Sequence, residues 1–190
     1  PWLDLSTGIN PHAWPGADTT AIDWRRLPDE TALRELERAA ADYFGARAEY
    51  VCALPGTEIG LRLASEMLAG EAAYVTPSYR THGEMFSGAT PIPAEDIPHS
   101  TGELLVLANP NNPDGAIHDR EALLARPGWL LIDEAFADTH PEVSVANRVG
   151  GDRQLIVFKS FGKFFGLAGL RLGFVLGPRE IVSHFRAKLG

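Results

Sequence analysis

The chain has 190 residues, of which 45% are hydrophobic and 22% charged, and its formal net charge is −8 at pH 7. This acidic balance, without any run of Lys or Arg, argues against nucleic acid or an anionic membrane as a partner. No stretch approaches the ~20 consecutive apolar residues of a membrane-spanning helix, so we expect a cytoplasmic globular protein that acts on a small molecule or a protein. No metal site is predicted, and the single cysteine, Cys52, lies in an apolar run typical of a core residue.

The beginning of the chain is rich in Gly, Pro and polar residues and shows neither helical nor strand periodicity. We interpret residues 1–24 as an N-terminal arm and residues 25–190 as one large domain. Between Asp29 and Gly45, apolar residues recur at spacings of three and four, which predicts an amphipathic helix of about four turns. The apolar positions are Leu33, Leu36, Ala40 and Phe44.

Short apolar runs then alternate with helical stretches. The runs predict strands at Tyr50–Leu54, Ala72–Val75, Leu104–Ala108, Trp129–Ile132, Leu155–Phe158 and Leu172–Leu176. Further helices are predicted at Thr57–Ala69, Tyr79–Ser87, Asp119–Ala125 and Arg179–Lys188. Since such runs fit strands that are buried on both faces, the alternation predicts an α/β fold, a mainly parallel sheet wrapped by helices.

The turn after the first predicted strand is a candidate anion site, because ligands of open α/β sheets bind at the carboxyl ends of the strands. The sequence PGTE, residues 55–58, follows that strand and opens a helix. The free backbone amides of Gly56, Thr57 and Glu58 would face an anion there, and the Thr57 hydroxyl would be a further donor. Ordinary helix capping explains the same residues, so both interpretations stay open.

Polar residues also follow two later strands. NPNNPDG, residues 109–115, is a cluster of turn formers that either aims an asparagine amide at a ligand or forms a tight surface turn. Asp133 and Glu134 end a hydrophobic strand, where an acid is poorly solvated unless a positive group meets it. Chance charges at strand ends are common, so this pair is ambiguous by itself.

The strongest candidate site is FKSFGKFFGLAGLRLGF, residues 158–174. Lys163 has apolar neighbours, which disfavour the ammonium form and favour a nucleophilic neutral amine. These neighbours are Phe161, Phe164, Phe165 and Leu167. Ser160 lies three residues before Lys163 and Arg171 eight residues after it, and a hydroxyl with a guanidinium suits a phosphate group. Lys159 is the rival amine, and a glycine-rich turn with a surface lysine is the alternative explanation.

Together these groups match the needs of pyridoxal phosphate, which carries an aldehyde, a phosphate, a phenolic oxygen and a ring nitrogen. Lys163 would bind the aldehyde. The helix start, with Ser160 and Arg171, would bind the phosphate, and the acid at the strand end would keep the ring nitrogen protonated.

The motifs PGTE, TPSY, NNPDG, DEAF, SFGK and GLRLG, in this order, resemble the fold-type I aminotransferase superfamily. Within it, the chain is similar to the branch of histidinol-phosphate aminotransferases and threonine-phosphate decarboxylases. The resemblance implies two catalytic residues, Lys163 on the cofactor aldehyde and Asp133 facing the ring nitrogen. It also implies that Tyr79 stacks on the pyridine ring and that Asn112 contacts the phenolic oxygen. The implied phosphate ligands are Gly56, Thr57, Glu58, Ser160 and Arg171.

Two features favour the decarboxylase of cobalamin biosynthesis within this branch. The opening LDLSTGINP resembles the arm of those enzymes, and Asn10 is its expected substrate-binding residue, although Gly8 replaces their asparagine. Phe136 replaces the tyrosine that the aminotransferases usually carry. We therefore expect a phosphorylated amine substrate, with L-threonine O-3-phosphate decarboxylase first and histidinol-phosphate aminotransferase as the alternative. A non-catalytic binding module is the remote alternative.

The resemblance also implies a small C-terminal domain that supplies an arginine for the substrate carboxylate. The sequence shows no such domain before Gly190, so a truncated large domain is expected. Arg179 and Arg186 are interpreted as solvated helix residues and not as that arginine. Members of the superfamily generally form homodimers, and the arm is long enough to reach a neighbouring subunit.

Overall fold

The computed structural model describes residues 7–27 and 29–190, so the first six residues of the expected arm lie outside the described residues. The strands are β1 (Val51–Leu54), β2 (Ala72–Thr76), β3 (Thr90–Pro93), β4 (Leu104–Ala108), β5 (Trp129–Asp133), β6 (Leu155–Ser160) and β7 (Gly173–Leu176). They form one sheet in the order β1-β7-β6-β5-β4-β2-β3. This is the α/β architecture that the sequence predicts.

The helices are α1 (Glu30–Phe44), α2 (Thr57–Met67), α3 (Arg80–Glu84), α4 (Arg120–Ala125) and α5 (Arg179–Leu189). The side chain of Asp29 caps α1 by accepting a hydrogen bond from the Ala32 amide, and Gly45 ends it in a left-handed conformation. α3 is shorter than the helix predicted over Tyr79–Ser87. In the described part of the chain, no helix combines the length and the apolar character needed to cross a membrane.

The direction of β7 determines where functional residues meet. β2 through β6 are parallel wherever they pair, whereas β7 is antiparallel to both β6 and β1. Six strands therefore end at the edge of the sheet where β7 begins. Residues that follow the six strands and residues that precede β7 share this edge.

The sequence pattern does not predict β3. Two of its four residues are prolines, and proline removes a donor from a β-ladder. The strand is possible because it lies at the outer edge of the sheet and pairs with β2 alone.

The sheet is buried on both faces, and every residue of β4 is buried. Cys52 belongs to this core, as predicted, and its burial raises the pKa of the thiol to about 11. α1 packs on the sheet differently from the expected apolar stripe. Ala40 and Ala41 are buried, whereas Leu33 is 40% exposed and Leu36 37% exposed. Leu36 instead lines an open apolar groove between α1, the arm and the loop after Lys163.

Candidate active site

The shared edge of the sheet contains an open cleft of about 740 Å³. All the residues predicted to bind the cofactor line this cleft: Gly56, Thr57, Glu58, Tyr79, Asn112, Asp133, Ser160, Lys163 and Arg171. They lie at or just after the ends of β1, β2, β4, β5 and β6 or precede β7. Sheet topology thus brings together motifs that are far apart in the sequence.

Lys163 lies beyond the end of β6, and its Nζ atom is 5.7 Å from the centre of the Phe136 ring. The expectation that the neighbouring apolar side chains surround the amine is wrong for Phe161, Phe165 and Leu167. Phe161 stacks on Phe165 with the ring centres 4.4 Å apart, and all three side chains line the apolar groove beside α1 instead of the cleft. Phe136, which follows β5, gives the amine an apolar contact.

Lys159, the rival amine, is buried away from the cleft and only 3% exposed. Its Nζ atom lies 3.3 Å from Oε2 of Glu134 and 3.9 Å from Oδ1 of Asp138. Glu134 also accepts hydrogen bonds from the Ser144 hydroxyl at 2.6 Å and from the Val145 amide at 2.7 Å. Burial raises the pKa of Glu134, and Lys159 and these two donors oppose that shift. Lys159 therefore has a structural partner, and Lys163 is the lysine that lines the cleft.

The N-terminus of α2 makes one part of the cleft suited to an anion. The cap residue Gly56 offers no side chain to the first-turn amides, so these remain available to a ligand. Gly56 has a φ of +95°, and a Cβ atom there would lie 2.9 Å from Nη2 of Arg171. Only glycine combines this backbone conformation with so close a guanidinium. With the hydroxyls of Thr57 and Ser160, these groups form a donor set for phosphate.

Asp133 ends β5 and is nearly buried. Its Oδ1 accepts a hydrogen bond from the Ala135 amide at 3.0 Å, and its Oδ2 lies 3.4 Å from Nε2 of His82. His82 is fully buried, and its Nδ1 has no hydrogen-bond partner within the described ranges. Sequence reasoning missed His82 because it lies 51 positions from Asp133 and belongs to no motif. Its place three residues after Tyr79 is the one hint that the sequence offers.

Glu58 and Tyr79 are joined above the start of α2. The Tyr79 hydroxyl donates to Oε2 of Glu58 at 3.1 Å, and the Thr81 hydroxyl donates to the same oxygen at 2.8 Å. Arg62 lies 2.7 Å from Oε1. Partial burial would raise the pKa of Glu58, but the three donors outweigh it and hold that pKa below its ordinary value. The Glu58 side chain is thus engaged with protein groups, while its amide belongs to the first turn of α2.

The three asparagines of the loop after β4 have different contacts. The Asn109 side chain donates to the carbonyl of His118 at 3.1 Å and accepts from its amide at 3.0 Å. Asn111 donates to the carbonyl of Pro77 at 2.9 Å. These two shape the loop, and Asn112 lines the cleft. The cluster therefore forms a tight turn and also presents one asparagine to the cleft.

The arm runs beside the loop that carries Lys163. The Asn10 backbone amide donates to the Lys163 carbonyl at 3.0 Å, and its side-chain amide donates to the Phe164 carbonyl at 2.8 Å. Asn10 does not line the cleft, so its role toward a substrate stays a prediction. A Cβ atom on Gly8 would lie 2.6 Å from Cε1 of Phe136, so the missing side chain lets the arm pass against that ring.

The two arginines of α5 do not line the cleft. Arg179 is exposed and pairs with Glu49 at 2.6 Å, as expected of a surface residue. Arg186 differs, because its Nη2 donates to Glu37 and to the Val51 carbonyl, each at 2.8 Å. The expectation that Arg186 is solvated is wrong, since the buried carboxylate of Glu37 requires a cation beside it.

The cleft thus combines an amine, a carboxylate with a histidine partner, an aromatic ring and a phosphate-type donor set. This chemistry fits the aldehyde, ring nitrogen, ring face and phosphate of pyridoxal phosphate. The cradle at Gly56 is the most specific part of the fit, because a side chain there would occupy the space next to Arg171.

Comparison with known proteins agrees with this interpretation of the cleft. A family model described as aminotransferase class I and II matches residues 3–188. The structure of histidinol-phosphate aminotransferase from Clostridium acetobutylicum has a TM-score of 0.82 and 22% identity, and the match covers 98% of this chain and 64% of that one. At this identity the likeness shows the fold.

Two curated relatives differ in their distance from this chain. A threonine-phosphate decarboxylase from a Sinorhizobium species is 40% identical over 204 residues, which cover 100% of this chain and 61% of the relative. Histidinol-phosphate aminotransferase 3 from Mesorhizobium japonicum is 28% identical over 213 residues, which cover 97% of this chain and 57% of the relative. The chain therefore spans less than two thirds of either relative.

Proposed function

The chain belongs to the class I and class II aminotransferase family, and we propose that it forms the cofactor-binding large domain, residues 25–190, of a pyridoxal-phosphate-dependent threonine-phosphate decarboxylase of cobalamin biosynthesis. The observation that carries the proposal is the convergence of Lys163, Asp133 and Arg171 with the start of α2 in one cleft. The higher identity to the decarboxylase, 40% against 28%, supports the reaction type.

Each part of the cleft has a task in holding the cofactor. Lys163 would be the covalent attachment point through its amine. Arg171, Ser160 and the start of α2 would hold the phosphate. Tyr79 would cover the ring face, and Asn112 would meet the phenolic oxygen. Pyridoxal phosphate, when bound, supplies an electron sink for the bond that breaks in the substrate.

The chain's own residues control protons around that chemistry. With pyridoxal phosphate bound, the Asp133 carboxylate would hold a proton on the ring nitrogen, and the Ala135 amide and His82 orient its two oxygens. The Lys163 amine would take a proton at Nζ from the incoming substrate ammonium and donate it to the substrate carbon that has lost carbon dioxide. Phe136 contributes a ring without a hydroxyl beside this amine.

Histidinol-phosphate aminotransferase is the second candidate, because the relative from Mesorhizobium japonicum covers 97% of the chain. The full-length protein is given L-threonine O-3-phosphate and, separately, histidinol phosphate with 2-oxoglutarate. We expect carbon dioxide from the first mixture and no glutamate from the second. The opposite result assigns the aminotransferase reaction.

Two variants complete this experiment. Lys163→Ala is expected to lose turnover and the visible absorption band of the lysine-bound cofactor, whereas Lys188→Ala, at an exposed position of α5, retains both. A full-length protein that binds pyridoxal phosphate but turns over neither substrate would favour the non-catalytic binding module.

We also propose a homodimer and a cytoplasmic location, with residues 1–24 as an arm that reaches the neighbouring subunit. Trp24 is 86% exposed and lines the open apolar groove with Trp14 and Ile22, and a contiguous apolar surface of this kind is typical of a protein interface. Analytical ultracentrifugation is expected to show a dimer that Trp24→Glu shifts toward the monomer. Cell fractionation tests the location.

A further inference from the structure

Glu58 has an unfavourable place for a residue at a phosphate site. It is the second residue of α2, where the backbone amides face the cleft. A carboxylate at this point repels a phosphate dianion. The contacts of its side chain indicate a role that is separate from phosphate binding.

The Glu58 carboxylate is held from two elements at once. Arg62 lies one turn further along α2 and pairs with Oε1, which balances the negative charge within the helix. Tyr79 and Thr81, from the beginning of α3, both donate to Oε2. The phosphate site therefore faces an ion pair rather than an isolated carboxylate.

Tyr79 has few other restraints. It stands at the start of α3, a helix of five residues, and is partly exposed. Its ring meets the His82 ring edge to face, with the centres 5.7 Å apart. Because a tyrosine ring turns about two side-chain bonds, a hydrogen bond at its hydroxyl fixes the far end of the ring.

We propose that Glu58 is a positioning residue that fixes the Tyr79 ring in the orientation in which it stacks on the cofactor. Arg62 and Thr81 hold the carboxylate in place for this task. The inference rests on the proposed function, since it takes Tyr79 as the stacking aromatic. Glu58 then has two separate roles: its backbone amide binds the phosphate, and its side chain orients Tyr79.

The affinity for pyridoxal phosphate tests this role, because positioning and simple electrostatics predict opposite signs. Glu58→Met removes both the charge and the oxygen that accepts from Tyr79. Loss of the charge would by itself tighten binding, whereas loss of the contact with Tyr79 weakens it. We expect about fivefold weaker binding for Glu58→Met and about threefold for Tyr79→Phe, in titrations followed by visible circular dichroism. Because both changes remove the same hydrogen bond, the double variant is expected near fivefold, well short of the product of the two effects.

Glu84→Met is the matched control. Oε2 of Glu84 lies 3.9 Å from Nη2 of Arg62, and among the described residues Glu84 forms no hydrogen bond with Tyr79, so its removal changes the charge without changing the ring. Its binding is expected to be unchanged or slightly tighter. Tighter binding by Glu58→Met, or effects of the two single variants that multiply, would overturn the inference. Failure of the unaltered chain to bind would instead count against the proposed function.

A second measurement needs no cofactor. Burial, together with the carboxylates of Glu58 and Asp133, raises the pKa of the Tyr79 hydroxyl. The difference in tyrosinate absorbance between proteins with and without Tyr79→Phe reports this ionisation. It is expected to move to lower pH in Glu58→Met and to stay in place in Glu84→Met. An unmoved titration in Glu58→Met would show that the two side chains are not joined.

Discussion

The ends of β5 and β6 carry two sets of one acid and one lysine, and the sets differ in how they are satisfied. Glu134 and Lys159 lie 3.3 Å apart and are almost fully buried on the α1 side of the sheet. Asp133 and Lys163 line the open cleft, and among the described residues Asp133 is bonded to an amide and lies near a histidine. Consecutive strand residues point to opposite faces, which separates Asp133 from Glu134. The buried acid and amine satisfy each other, whereas an acid and an amine without each other remain available to a ligand.

The largest effect that sharpens this comparison is expected from Lys159→Met. Removing one member of a buried ion pair leaves an uncompensated charge, so the free energy of unfolding should fall by about 3–5 kcal/mol in urea titrations. Lys188→Met, at an exposed position, is expected to stay within about 0.5 kcal/mol of the unaltered protein. A loss below about 1 kcal/mol in Lys159→Met would break the distinction between the two sets.

The same pair predicts a dependence on pH. Because burial raises the folded-state pKa of Glu134, its contribution to stability is present below the unfolded pKa and is lost as pH rises through the folded value. Lys159→Met removes one of the groups that oppose this shift, so the folded pKa of Glu134 rises further. The stability deficit of the variant should therefore grow as pH rises above the unfolded-state pKa of Glu134 in urea titrations. Adding Glu134→Gln should remove this growth, and a deficit that shrinks with pH would contradict the assignment.

A smaller effect, confined to the cleft, is expected from Gly56→Ala. Both Gly56 and Gly88 have positive φ, but a Cβ atom meets Arg171 at Gly56 and meets nothing within 4 Å at Gly88. Gly56→Ala should weaken pyridoxal phosphate binding about tenfold, or about 1.4 kcal/mol, while pyridoxal without its phosphate loses less. Gly88→Ala should lower stability by about 1–2 kcal/mol through backbone strain and leave both affinities unchanged. Equal losses for the two ligands would place the phosphate elsewhere.

The sequence predicts the frame of this site because apolar runs record burial on both faces of a sheet. Once the runs are taken as strands, the residues that follow them fall at one edge, as Asp133 and Lys163 do. This reasoning does not predict β3, because its prolines argue against a strand. Only its position at the sheet edge permits one.

What the sequence misses are contacts between side chains that depend on packing across the chain. Phe161 and Phe165 lie next to Lys163 in the sequence, but they pack beside α1 and away from the cleft. The sequence around Lys163 does not encode this contact with α1. Arg186 is predicted to be solvated because a basic residue late in a helix is usually exposed, and only the buried Glu37 explains its place. His82 meets Asp133 through the fold alone.

The smallest expected effect comes from substitution of His82. It tests whether Asp133 in the cleft has a structural role like that of its buried neighbour Glu134. Its contact with Asp133 is long, at 3.4 Å, so His82→Leu should weaken pyridoxal phosphate binding about threefold in the same dichroism titrations. His82→Gln keeps a donor and should recover part of the loss. His118→Leu is the control, because His118 also has a buried nitrogen without a recorded partner and does not line the cleft. If His82→Leu lowered stability as much as Lys159→Met and left the affinity unchanged, the contact with Asp133 would be structural, and the two sets would no longer differ in kind.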